Sequence, residues 1–264
     1  MVTTRPNVCL LRGGGDLATG VAWRLTRAGW PVVVCELATP LTVRRTVAVS
    51  SAVSDGEVDV EGMRAVRAQH VAEALELAAT GVIPVLVSPE LPAIDADVVV
   101  DARLAKRNLD TSIEDARLVV GLGPGFTAGV DCHAVVETMR GTRLGRVLWA
   151  GSAAPDTGTP GAVGGRGAER VLRAPTDGTV TWEVDIGDLV ENGQRLGVVG
   201  GVSIEAPFAG VVRGLISDRV DLTAGLKIGD VDPRLDPVAC NEISDKALAI
   251  GGGVVEAVLT WSNR

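Results

Sequence analysis

Two glycine-rich turns and one Asp-Cys-His triplet hold the residues of this sequence best suited to chemistry. The first turn is Arg12-Gly13-Gly14-Gly15-Asp16-Leu17-Ala18. Gly13-x-Gly15-x-x-Ala18 fits a dinucleotide-binding fingerprint with alanine in third place. Gly13 permits a tight turn, Gly15 lets main chain approach a phosphate, and Ala18 allows close helix–strand packing. A helix starting there presents free amides and the positive end of its dipole to an anion. Glu36, at the end of the following strand, is placed to accept from a ribose hydroxyl. Arg12 is a partner either for an anionic ligand or for Asp16. Asp16 itself would set a negative charge near any phosphate, or cap the helix with its carboxylate.

The second turn is Gly121-Leu122-Gly123-Pro124-Gly125-Phe126-Thr127-Ala128-Gly129, which also follows an apolar run. Gly123, Gly125 and Thr127 would offer main-chain donors to an anion at the carboxyl end of a strand. Asp131, Cys132 and His133 come next and are the catalytic candidates. Neighbours on a helix point about 100° apart, so Cys132 and His133 do not make a simple nucleophile–base pair. A helix beginning here would lower the Cys132 thiol pKa; the alternative is a packed Cys132 with Asp131 as N-cap. The chain has two histidines, His70 and His133, and no recognisable ligand spacing, so no metal site is expected. Arg103, Lys106 and Arg107 supply either a basic rim to the glycine turns or an exposed charged turn.

The elements that must position these residues are legible as alternating patterns. Val8–Leu11 reads as a strand and Leu17–Ala28 as a helix, stopped by Gly29. Val32–Leu37 then completes a βαβ unit. Short strands are expected at Val47–Val53 and Glu57–Val60 around a Ser54-Asp55-Gly56 turn. A helix follows at Val71–Ala79, then strands at Val82–Val87, Val98–Val100 and Leu118–Gly121. Ala134–Met139 reads as helical, and Val147–Trp149 closes the pattern. Near-continuous apolar strands alternating with helices imply a parallel sheet covered on both faces. The fold class expected is α/β: a Rossmann-like domain over residues 1–150, a glycine-rich linker over 151–170, and a smaller β-rich domain over 171–264. That last part contains a repeat. Ala174-Pro175-Thr176-Asp177-Gly178-Thr179-Val180 matches Ala206-Pro207-Phe208-Ala209-Gly210-Val211-Val212 at an offset of 32 residues. Two such units would pair into one small barrel or sandwich. A closing helix is expected in two pieces, Ser244–Leu248 and Val254–Leu259, interrupted by Gly251-Gly252-Gly253.

Composition narrows the class of partner. The 264 residues carry a net charge of −8, with 3% aromatics and no tyrosine. No basic face stands out for a phosphate backbone, and base stacking is poorly supplied, so nucleic acid is not an expected partner. No run reaches the ~18 apolar residues of a membrane span. Met1–Asn7 is short and polar, so no signal peptide is expected. Cys9, Cys35, Cys132 and Cys240 are scattered, without a C-x-x-C pair, which fits reduced thiols in a cytoplasmic chain. Oligomeric state is left open.

Arg12-Gly-Gly-Gly-Asp-Leu-Ala-Thr-Gly20, Asp101-Ala-Arg-Leu-Ala-Lys-Arg-Asn108, Gly121 to Asp131, Asp156-Thr-Gly-Thr-Pro-Gly161 and Ser244 to Gly253 together resemble the YqeB-type family over nearly the whole chain. The resemblance implies an accessory or maturation factor of selenium-dependent molybdenum hydroxylase systems, and it carries over no catalytic residues. The C-terminal repeat is similar to biotinyl and lipoyl barrel-sandwich domains through Ala-Pro-x-x-Gly-x-Val. The carrier lysine of such domains is missing from Gly197–Glu205, which implies a structural or docking module. Three readings stand side by side. The first is an accessory protein binding a nucleotide or molybdopterin-nucleotide ligand and serving a molybdenum hydroxylase. The second is an NAD(P)-dependent oxidoreductase of unknown substrate. The third is a non-catalytic scaffold that docks a client enzyme.

Overall fold

The computed structural model describes residues 8–158, 161 and 164–263. Met1–Asn7 and the Thr159-Pro160 step of the 156–161 motif lie outside the described residues. The chain divides into two compact units. One holds the described residues of Met1–Ala38, Ala48–Asp156 and Ile243–Arg264; the other holds those of Thr39–Val47 and Thr157–Glu242.

The first unit is α/β. It runs β1 (Cys9–Arg12), α1 (Asp16–Arg27), β2 (Val32–Glu36), α2 (Ala52–Asp55), β3 (Glu57–Val60), β4 (Met63–Ala68), α3 (Val71–Ala79), β5 (Ile83–Val87) and β6 (Val98–Asp101). It continues with β7 (Leu118–Leu122), β8 (Thr127–Ala128), β9 (Ala134–Val136), β10 (Val147–Leu148) and β11 (Gly151–Ser152). Nine of these strands form one sheet in the order β10-β9-β7-β6-β1-β2-β5-β4-β3. Its pairings are parallel except at the two edges, where β3–β4 and β9–β10 are antiparallel. The central strands are near-continuously apolar because both faces are covered, whereas the outer strands β3 and β4 carry exposed Glu57, Asp59, Arg64 and Arg67. Leu10, Val33, Cys35, Val99 and Val119 form one core with Ala74 and Ala78 of α3. The alternate residues Leu11, Val34, Val98 and Val100 point to the other face by the strand's two-residue period and are buried as well.

Strand order decides where a site can lie. From β1 the chain lays β2 on one side, passes to the edge at β3 and works back through β4 to β5, then crosses to lay β6 on the other side of β1. The β1/β6 boundary is therefore the switch point of the sheet, where crevices open beyond the carboxyl ends of parallel strands.

Several local expectations are corrected. Val47–Val53 is not a strand: it forms two 3₁₀ turns at Arg45–Val47 and Val49–Ser51 leading into α2. Polar anchors override its β-branched pattern, since the Val49 amide donates to Thr19 Oγ1 at 3.0 Å and the Ser50 amide to the Gly14 carbonyl at 2.9 Å. The hairpin turn is at Glu61-Gly62 between β3 and β4, not at Ser54-Asp55-Gly56. Ala134–Met139 is not helical; Ala134–Val136 is β9, parallel to β7. The chain returns within Gly123–His133 without a helix because Gly123, Gly125 and Gly129 adopt positive φ values of 74°, 110° and 87°. The closing helix is one piece, α4 (Asp245–Ser262), running straight through Gly251-Gly252-Gly253. A β-carbon at Gly251 would stand 2.3 Å from the Gly20 carbonyl oxygen, and one at Gly253 would stand 2.2 Å from that of Gly145. Those two glycines are packing sites for α1 and the 145 turn rather than helix breaks.

The second unit is β-rich. It contains β12 (Val171–Arg173), β13 (Val180–Trp182), β14 (Leu189–Val190), β15 (Arg195–Val199), β16 (Val202–Glu205), β17 (Gly210–Leu215) and β18 (Lys227–Asp232). They form two antiparallel sheets, β12-β18-β17-β14 and β13-β15-β16. The sequence repeat reappears as a repeat of main-chain pairing. The Ala174 amide donates to the Leu226 carbonyl, and the Ala206 amide to the Gln194 carbonyl, both at 2.8 Å. Gly225 returns a bond to Ala174, and Gly193 one to Ala206, again at 2.8 Å. Val180 pairs with Val199, and Val212 with Val231. Every partner is offset by the same 32 residues. The two copies share one apolar core containing Leu196, Val199, Phe208, Val212, Ile228 and Val231.

Candidate functional site

β1 and β6 each end an apolar run with one charged residue. Arg12 and Asp101 are register partners across the switch point, and both are almost fully buried. Placing charge there demands complete pairing. Asp101 receives the Arg103 main-chain amide and Nε at 3.1 Å on one oxygen, and Arg103 Nη2 at 2.5 Å on the other. Thr111 Oγ1 also donates to Asp101 at 2.6 Å and accepts from Arg12 Nη1 at 2.9 Å and Arg103 Nη2 at 3.1 Å. That hydroxyl uses its one donor and both acceptor positions. Arg12 Nη2 reaches Asp110 Oδ2 at 2.8 Å, and Arg103 Nη2 reaches Asp110 Oδ1 at 2.7 Å. The hydrogen bond from Arg12, partly offset by desolvation and aided by Arg103, holds the Asp110 carboxyl below its ordinary range. Burial works against the Arg103 charge, but Asp101 and Asp110 outweigh it and raise its pKa.

The glycine turn lies directly against this cluster. A β-carbon at Gly13 would meet the Ala102–Arg103 main chain at 3.3 Å, and one at Gly14 the Ser50 amide at 3.0 Å. Gly13 donates to the Cys35 carbonyl at 2.8 Å. Gly14 donates to Glu36 Oε2 at 2.7 Å, and Leu37 donates to Glu36 Oε1 at 2.7 Å. Glu36 thus already binds the turn it was expected to assist from across a ribose. Burial, opposed by these two amides, raises its pKa. α1 takes Gly15 as its N-cap without a side-chain cap bond, so Asp16 begins the helix rather than capping it. Ala18 is buried beneath the turn. The amides of Gly15 and Leu17 meet no acceptor among the described residues.

The second glycine turn comes beside the same cluster through the 101–111 loop. A β-carbon at Gly125 would stand 2.6 Å from Arg107 Cα, and the Asn108 amide donates to the Gly125 carbonyl at 3.1 Å. Asn108 Nδ2 donates to Asp131 Oδ1 at 3.2 Å, while the Thr127 amide donates to Asp131 Oδ2 at 2.8 Å. Thr127 Oγ1 lies 3.0 Å from Ser152 Oγ. Gly123 is buried under Thr138. Lys106 is exposed and reaches Asp156 at 3.4 Å. Three donor groups suited to an anion, the Gly14 amide, the Arg12–Arg103 pair and the Thr127 amide, are therefore each met by a carboxylate of the chain itself.

Cys132 and His133 do not join this arrangement as a nucleophile and base. No helix begins there, and burial pushes the Cys132 thiol up to about 11 rather than down. The His133 imidazole accepts the Val119 amide through Nδ1 at 3.0 Å and packs edge-on against Trp261 at 4.6 Å. Burial lowers its pKa, in keeping with that acceptor role. Among the described residues, no group of three or more His, Cys, Asp or Glu is placed to hold a metal ion. No helix among the described residues is long and apolar enough to cross a membrane.

Asp110 and Thr111 were not singled out from the sequence, and Asp101 and Asn108 entered only as the ends of a motif, with no role at the site. The available signal was a carboxylate ending the all-valine run of Val98–Val100, the mirror of Arg12 ending β1.

No family model matches the chain. The protein named "Uncharacterized protein YqeB" of Escherichia coli (strain K12) is 47% identical over 253 residues, which is 95% of this chain. This match supports the YqeB family. The chain spans about half (47%) of the length of that relative. The crystal structure of an aspartoacylase family protein from Mesorhizobium loti is similar over 86% of each chain at 14% identity, with a TM-score of 0.25, too low to carry an argument.

Proposed function

We propose that this chain is an accessory protein of selenium-dependent molybdenum hydroxylase maturation that binds the phosphate-bearing part of a nucleotide, or of a molybdopterin nucleotide, at the β1/β6 switch point. The observation that carries the reading is the coincidence of three features there: the Gly13–Gly15 turn, the amides of Gly15 and Leu17 at the N-terminus of α1, and the buried Arg12. Main-chain donors and a guanidinium at the carboxyl ends of parallel strands favour a phosphoryl group. On this reading the nine-stranded sheet is a Rossmann-like ligand domain. The β-rich unit is a barrel-sandwich-like module without a carrier lysine: its β15–β16 hairpin turns on Gly200-Gly201. That module then docks the hydroxylase or stiffens the chain. The YqeB relationship supports the assignment through the resemblance of the motifs.

Equilibrium dialysis of the pure chain against ADP, CDP, NAD and molybdenum cofactor tests the proposal. Saturable binding of one of them, weakened at least about tenfold by Gly15→Asp, is expected. Failure of all four to bind would remove the ligand-binding reading.

A further inference from the structure

Arg12 and Arg103 converge on one carboxylate, and the three groups differ sharply in exposure. The Arg12 side chain is 3% exposed and that of Arg103 19%, whereas Asp110 is 51% exposed. Each Asp110 oxygen takes one guanidinium, Oδ2 from Arg12 and Oδ1 from Arg103. That is the geometry in which a phosphoryl or carboxylate ligand bridges two arginines. Asp101 and Thr111 are saturated by other bonds and buried, so neither can leave. Asp110 is held only by the two arginines among the described residues, and it rides on the exposed 104–110 stretch. The same stretch holds two non-glycine residues in left-handed backbone, Leu104 at φ 55° and Lys106 at φ 65°. With Asp110 removed, Arg12 is a buried cation with no directly bonded carboxylate, and two guanidiniums share the single charge of Asp101, a state that favours an added anion.

Resting on the ligand-binding reading above, we infer that the Arg12–Arg103 pair is a clamp for a phosphoryl group, and that the Asp110 carboxylate is a built-in stand-in which the ligand displaces. Binding then swaps one anion for another across both guanidiniums and releases the Asp110 side chain to solvent. The affinity of the wild-type chain for a simple phosphate is correspondingly low, because Asp110 competes as an intramolecular ligand.

Isothermal titration with inorganic phosphate tests this on the wild-type chain, Asp110→Ala, and Glu114→Ala, which removes the same charge from an exposed site nearby. Thermal unfolding confirms that each variant is folded. Asp110→Ala is expected to bind phosphate at least about tenfold more tightly than wild type, and Glu114→Ala within about twofold of it. Adding Arg103→Ala to Asp110→Ala should abolish the gain. A folded Asp110→Ala that binds no more tightly than wild type overturns the inference, as does a gain that survives loss of Arg103. ADP binding by wild type without a gain in Asp110→Ala would sink the clamp alone. A phosphate gain in Asp110→Ala without nucleotide binding by any form would sink the nucleotide reading and leave the clamp standing.

Discussion

Arg12 and Asp101 stand side by side as the last residues of two adjacent parallel strands, yet they do not pair with each other. Asp101 is taken by Arg103 and Thr111, and Arg12 by Thr111 and Asp110. Thr111 is the hinge of the arrangement, since its single hydroxyl links both charges. The switch point of the sheet is thereby wired shut by side chains from one loop, with a half-exposed carboxylate as the outermost link.

Removing the innermost acceptor should be costly. Asp101→Asn leaves Arg103 short of a charge partner in a mostly buried setting, with a predicted loss of about 3 kcal/mol of unfolding free energy. Urea denaturation followed by circular dichroism measures it. A loss within about 0.5 kcal/mol, the range of an ordinary surface change, would show that the network adds nothing to the fold.

Glu36 sets a pH dependence of known sign. Its folded pKa lies above the ordinary value, so the native state holds a proton more readily than the unfolded chain. Its contribution is full below the ordinary glutamate pKa and is lost as pH rises through the raised folded value. The difference in unfolding free energy between wild type and Glu36→Gln should therefore shift against wild type as pH rises from 4 to 7. A difference that stays flat, or moves the other way, contradicts burial as the dominant influence on this carboxyl.

Glycines of α1 and α4 separate into packed and open positions. A β-carbon at Gly20 would lie 2.4 Å from the Ala247 carbonyl oxygen, whereas one at Gly252 meets nothing within 4 Å. Gly20→Val is expected to cost about 2–3 kcal/mol by overpacking. Gly252→Ala should instead stabilise by about 0.5–1 kcal/mol through helix propensity. Melting temperatures moving in opposite directions confirm the pair; a stable Gly20→Val would mean that the two helices are not in this contact.

The cysteines should be inert in the folded chain. Burial drives the Cys132 thiol to about 11 and the Cys35 thiol to about 12, so almost no thiolate exists at neutral pH. Iodoacetamide at pH 7 should leave all four cysteines unmodified in native protein and alkylate all four in urea, as read by mass spectrometry. Rapid native labelling of Cys132 would restore it as a nucleophile candidate.

Sequence pattern alone determined the parallel-sheet class, the β1–α1–β2 unit with its glycine turn, and the 32-residue repeat. Each rests on local periodicity or on a residue type that only one backbone shape favours. It also singled out Arg12 and Glu36, through the glycine fingerprint that they flank. Tertiary structure alone decided the rest. Val47–Val53 has strand-like composition, but the Thr19 hydroxyl and the Gly14 carbonyl capture its amides and curl it into 3₁₀ turns. Gly251 and Gly253 look like helix breakers, and become helix interior because α1 and the 145 turn approach too closely for any side chain. The partners of Arg12 lie 98 and 99 residues away in sequence. A local pattern cannot report which distant carboxylate a buried charge will find, because that choice is made only when the sheet brings β1 and β6 together.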